Sequence, residues 1–79
     1  MAAKAFVLIE TAVGRAREVV SVLKQLEIEG VRTVDLVTGP YDIIAVIEEE
    51  SLTDVSEFVT SKIQRIPSIS RTVACLATP

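Results

Sequence analysis

The sequence predicts an α+β domain in which a four-stranded antiparallel sheet carries two helices on one face. Three observations predict it. Short apolar runs of strand length alternate with two longer stretches of helical periodicity. Glycine and proline stand at the joins. The resulting order is strand, helix, strand, strand, helix, strand, which right-handed crossovers fold into a ferredoxin-like βαββαβ unit.

Ala5 to Ile9 is unbroken apolar and too short for a helix, so it reads as a buried strand. After Gly14, the residues Ala16, Val19, Val20, Leu23 and Leu26 recur at helical spacing, with Arg15, Arg17, Glu18, Lys24 and Gln25 opposite. Gly30 stands where a left-handed helix stop is expected. Val31 to Val37 is rich in β-branched residues but dotted with Arg32, Thr33 and Asp35, which suits a sheet edge. Gly39-Pro40 breaks it, and Asp42 to Ile47 returns as an antiparallel hairpin partner.

Ser51 and Asp54 form a capping-box pattern, with Glu48, Glu49 and Glu50 just ahead of the positive helix end. Leu52, Val55, Phe58, Val59, Ile63 and Ile66 make one apolar stripe, which Pro67 and Ser68 end. Ile69 to Ala77 is the last strand. No linker or second domain is expected within residues 1–79.

The central strands carry a further message. Ala5, Val7 and Ile9 alternate with Phe6 and Leu8; Ile43, Ala45 and Ile47 alternate with Ile44 and Val46; Val73 and Cys75 alternate with Ala74 and Leu76. A sheet wet on one side would alternate apolar with polar. Two helices cover one face only, so the other needs a cover, and a second copy on a two-fold axis is the simplest. Size points the same way. A chain of 79 residues buries roughly 60–65% of its unfolded surface, and small folds offset that with disulfides, metals or oligomerisation. One cysteine and no histidine leave oligomerisation.

Composition also excludes functions. The net charge is −3, the basic residues are scattered, and Phe6, Tyr41 and Phe58 are the aromatics, so direct nucleic-acid binding is not expected. The apolar segment after Lys4 is too short for a signal-peptide core or a membrane span, and a cytoplasmic setting is expected. Without His, Trp or Asn, no Ser-His-Asp or Cys-His triad can form. No cofactor and no metal site is expected: a lone cysteine holds neither zinc nor an iron–sulfur cluster. Glu48, Glu49 and Glu50 point to alternate faces and cannot converge on a hard cation. Cys75 reads as a buried, inert thiol. The Gly14-Arg15-Ala16-Arg17 helix start reads as a solvated first turn.

The segment Val37-Thr38-Gly39-Pro40-Tyr41-Asp42 admits two readings. It is a plain β-turn, or it is a site in which Gly39 admits backbone amides to a carboxylate, Asp42 holds an ammonium and Tyr41 forms a wall. The second reading suits a zwitterion such as a free amino acid. As a loop carboxylate, Asp42 is expected to contribute little to the fold.

Ala5 to Glu10 followed by Gly14, then Val37 to Ile44, then Ser70 to Cys75, resemble the effector-binding (RAM) domain of the Lrp/AsnC family. The resemblance runs nearly the whole chain, and Thr38 to Asp42 is its most specific part. It implies dimers formed through the sheet faces as a dimeric α/β barrel, gathered into rings such as octamers or decamers. It implies an amino-acid effector between dimers, near Gly39, Tyr41 and Asp42, with a strand-four contact at Thr72. Many relatives carry a second Thr or Ser where this chain has Ala74, which leaves the ligand's identity open. The helix-turn-helix domain of family transcription factors has no counterpart in these residues, so the chain resembles either a stand-alone member, which could act through a full-length relative, or an excised domain. The rival readings are a small dimeric α/β-barrel enzyme, an ACT-type regulatory module and a ligand-free assembly module. Sheet faces lined by small aliphatics argue against the enzyme, and the segment Gly39 to Asp42 against the ACT-type module.

The charge balance yields a first prediction. In fluorescence anisotropy at low salt, the chain by itself should leave duplex DNA unbound at nanomolar concentrations; salt-sensitive binding there would overturn the reading.

Overall fold

The computed structural model describes residues 2–78. Its elements are β1 (Ala3–Thr11), α1 (Ala16–Lys24), a 3-10 turn (Glu27–Glu29), β2 (Val31–Leu36), β3 (Ile43–Glu49), α2 (Leu52–Phe58) running into a π turn (Val59–Ile63), and β4 (Ile69–Leu76). The four strands form one sheet in the order β2-β3-β1-β4, every pair antiparallel. The sheet is open, with β2 and β4 as edges. This is the ferredoxin-like α+β fold that the order of segments predicts.

Register explains the core. Ala5 pairs with Ile47, Val7 with Ala45, and Ile9 with Ile43, so small and large side chains alternate across one face. All six are fully buried, together with Val19 and Leu23 of α1 and Val55 of α2. Phe58, Val59, Ile63 and Ile66 complete this single cluster. Both helices therefore lie on one face of the sheet. Each fully buried Val, Leu or Ile contributes about 1.5–3 kcal/mol relative to exposure.

α2 begins as expected, with the Ser51 hydroxyl accepting from the Asp54 amide at 3.1 Å. Its end departs from a regular helix. The Gln64 amide donates to the Val59 carbonyl at 2.9 Å, five residues back. Val55, Val59 and Ile63 recur every four residues, and at 3.6 residues per turn such a stripe drifts by about 40° per step. Widening the last turn cancels the drift and keeps Ile63 fully buried. Leu52 is a correction to the stripe: it sits in the first turn, ahead of the sheet contact, and is 53% exposed.

The opposite face is uncovered. Phe6 and Leu8 of β1, Ile44 and Val46 of β3, and Val73 and Cys75 of β4 share it by strand alternation. Cys75, expected to be buried, is exposed because it belongs to this face. Exposed ion pairs Arg32–Glu48 at 3.2 Å and Lys62–Glu29 at 3.3 Å tie the periphery, and each is worth about 0–1 kcal/mol.

Gly30 closes the 3-10 turn with φ at +133° rather than capping α1 itself. A Cβ there would stand 2.7 Å from Glu49 Oε2 and 3.1 Å from the Glu48 carbonyl oxygen. Gly14 has φ at +78° but open space around it. Urea unfolding should therefore separate the two. Gly14→Ala should cost about 1–2 kcal/mol from backbone strain alone, and Gly30→Ala about 2–3 kcal/mol because strain and contact add.

Candidate ligand site

One end of the sheet gathers the chemistry. There β1 runs out at Thr11, β2 ends, β3 starts and β4 starts. A cleft of about 470 Å³ opens between the loop after β1 and the loop before β3. Glu10, Thr11, Ala12, Val13, Gly14 and Ala16 line one wall, and Gly39, Pro40 and Asp42 the other.

Gly39 adopts φ of +153°, with no heavy atom within 4 Å of where a Cβ would stand. The backbone there is open to an incoming group, and its conformation favours glycine. Asp42 is the best-connected residue of the end. Its amide donates to the Ile9 carbonyl at 2.9 Å, and its carbonyl accepts from the Val37 amide at 2.9 Å. Its Oδ2 accepts from the Thr11 amide at 2.9 Å and lies 3.4 Å from the Thr11 hydroxyl. One half-buried residue thus joins β1, β3 and the segment leaving β2. Its Oδ1 has no protein donor among the described residues.

Tyr41 and Thr72 lie elsewhere. The Tyr41 ring faces the Arg71 guanidinium, with Cζ 5.7 Å from the ring centroid. Thr72 pairs in register with Ile9 on the helix side. Its Oγ1 accepts from Gln64 Nε2 at 3.1 Å, and it lines a separate hollow of about 260 Å³ with Gln64, Ile69, Ser70 and Arg71. Thr72 and Ile43 flank Ile9 on its two sides, so two strand spacings, about 10 Å, separate Thr72 from the start of β3. Within one chain, Gly39 and Asp42 share a cleft, while Tyr41 and Thr72 border it from opposite sides of the sheet.

Sequence reasoning missed three contributors. Thr11 holds Asp42, because the end of β1 lies beside the start of β3. Gln64, the residue just past the π turn, donates to Thr72, a contact that spacing alone does not reveal. Arg71 meets Tyr41 across the end of β1, one strand beyond what a local motif can report. Gly14 lines the cleft, but Arg15 is spent on an exposed pair with Glu18 at 3.5 Å, as a solvated first turn requires. Among the described residues no group of His, Cys, Asp or Glu could hold a metal ion, and no helix is long and apolar enough to cross a membrane.

Residues 4–78 match the Lrp/AsnC ligand binding domain. The chain belongs to the Lrp/AsnC family. Among solved structures, a hypothetical protein PHS023 from Pyrococcus horikoshii is 37% identical, with a TM-score of 0.84 over 100% of this chain and 92% of that one. The protein TTHA0845 from Thermus thermophilus is 30% identical, with a TM-score of 0.89 over 98% of this chain and 94% of that one. The transcriptional regulator NMB0573 from Neisseria meningitidis, solved with L-methionine, shares the fold at 15% identity and a TM-score of 0.84 over 98% of this chain. The chain spans 50% of that regulator's length. No curated protein matches the chain in sequence. The module is thus a ligand-binding domain of Lrp/AsnC type, and the best-connected residue of its candidate site is Asp42.

That connection corrects the expectation that Asp42 is dispensable for the fold. Asp42→Ala should lower stability to urea by about 1–3 kcal/mol, since the Thr11 amide loses a charged acceptor. Asp42→Asn, which keeps an oxygen for that amide, should recover most of the loss. Equal stability of the alanine variant and the parent would show that the join contributes nothing.

Proposed function

We propose that this chain is a regulatory module that binds a free amino acid and is not an enzyme. The observation that carries the reading is the cleft in which Gly39 exposes backbone and Asp42 keeps one carboxylate oxygen without a protein donor. An exposed backbone amide suits an α-carboxylate, and an unspent carboxylate oxygen suits an α-ammonium. Family membership supports the assignment, as does the L-methionine held by the regulator from Neisseria meningitidis.

Tyr41 and Thr72 enter the site through assembly. In one chain they border the cleft rather than line it, so a neighbouring subunit brings them within reach of the ligand. Second copies cover the open sheet face, and dimers gather into rings such as octamers or decamers. A full-length Lrp/AsnC relative in the cytoplasm is the route by which the module would act on transcription. The ligand-free assembly module is the competing reading, and the same experiment decides between them.

A ligand that binds only the folded assembly adds about 2.7 kcal/mol at 100 times its dissociation constant. Melting curves across the twenty amino acids should therefore show one or a few clear upward shifts. Asp42→Asn should abolish the shift at a stability close to the parent's, because it removes the charge and keeps the acceptor. Thr72→Val should weaken it. If no amino acid moves the midpoint, the effector site is wrong and the assembly module takes its place.

A further inference from the structure

We infer that Gln64 is a positioning residue of the ligand site: it fixes the Thr72 hydroxyl as a hydrogen-bond donor toward an oxygen of the bound amino acid. This role rests on the proposed reading that Thr72 reaches the ligand across a subunit boundary. What Gln64 sets is the polarity of that contact.

A threonine hydroxyl carries one hydrogen and two lone pairs, and the hydrogen turns to suit its neighbours. At the hollow of about 260 Å³ beside β4, the neighbour is Gln64. Its Nε2 donates to Thr72 Oγ1 at 3.1 Å. An amide N–H has no lone pair to accept with, so the hydroxyl hydrogen is turned elsewhere. Among the described residues, Thr72 gives that hydrogen to no protein group. Ser70, next along the hollow, has spent its own: Oγ donates to the Glu10 carbonyl at 3.1 Å, with Glu10 Oε1 at 3.3 Å. Arg71 belongs to the opposite face by strand alternation, and its guanidinium lies over the Tyr41 ring.

The helix delivers Gln64 from a fixed point. Its backbone amide is tied to the Val59 carbonyl at 2.9 Å across the π turn, and Ile63 just before it is fully buried. π turns of this kind are frequent at functional sites. Here the irregular turn ends on the residue that touches Thr72.

The chemistry follows from donor and acceptor count. An O–H donor suits a carboxylate oxygen, and every free amino acid carries an α-carboxylate. With an acceptor at position 64, the hydroxyl would turn its hydrogen inward and present lone pairs to that same oxygen. The side chain at position 64 thus decides whether Thr72 attracts or repels the ligand oxygen.

A double-substitution cycle tests this, read by calorimetric titration of the whole chain with each of the twenty free amino acids. Gln64→Met keeps the length and removes the amide. The hydroxyl then spreads over three staggered positions, so dissociation constants should rise about threefold. Gln64→Glu replaces the donor with an acceptor, and the rise should be about tenfold or more. Thr72→Val should cost about as much as Gln64→Glu. Gln64→Met combined with Thr72→Val should bind as Thr72→Val alone does, because Gln64 acts through that hydroxyl. Additive losses in the combined variant overturn the positioning role. So does Gln64→Glu binding as tightly as the parent, and so does ligand-free stability to urea that falls in step with affinity. If Thr72→Val binds as the parent does, Thr72 is no contact and the role of Gln64 falls with it. A parent that binds none of the twenty sinks the amino-acid reading itself, and this role too.

Discussion

Everything in this structure follows from two central strands that are apolar on both faces while the chain owns helices for only one. β1 and β3 bury Ala5, Val7, Ile9, Ile43, Ala45 and Ile47 completely under α1 and α2. The alternating positions, Phe6, Leu8, Ile44 and Val46, are just as apolar and have nothing above them in the chain. A soluble monomer rarely leaves such a patch in water. The open face is the one that a second copy is proposed to cover. The one thiol, Cys75, lies on that face and is exposed for the same reason.

Much of the fold was legible because period and punctuation agreed. β1, β3 and the Ser51 cap were each specified by a few neighbouring residues, and local chemistry was enough. The errors arose where a long-range contact decided the outcome. Leu52 carries the right period for the apolar stripe, but burial depends on whether sheet lies beneath it. The π turn answers a drift that accumulates along α2, and no single residue announces it. Cys75 looked buried because its neighbours are apolar. Burial belongs to the face, and that face is the open one.

The candidate site was legible in a different proportion. Gly39 and Asp42 stand three positions apart in a turn and line one cleft. Tyr41 and Thr72 were grouped with them by resemblance, and the single chain divides the group across the sheet. The division has a physical cause. Adjacent residues on a strand point to opposite faces, so Arg71 and Thr72 cannot serve the same side. That is why the proposed site calls on a second subunit to bring Tyr41 and Thr72 to the cleft.

The double duty of Asp42 bears on how such modules would diverge. Its side chain and backbone fasten the end of β1 to the β2–β3 hairpin, whether or not anything occupies the cleft. A descendant that had lost its effector would still be under selection to keep the acid there, and glycine at position 39 would persist for its backbone geometry. Neither is therefore a trustworthy marker that a given member still senses a ligand. Tyr41 and Thr72 lie outside the fully buried core. Drift at those two positions would be the earlier record of a lost signal.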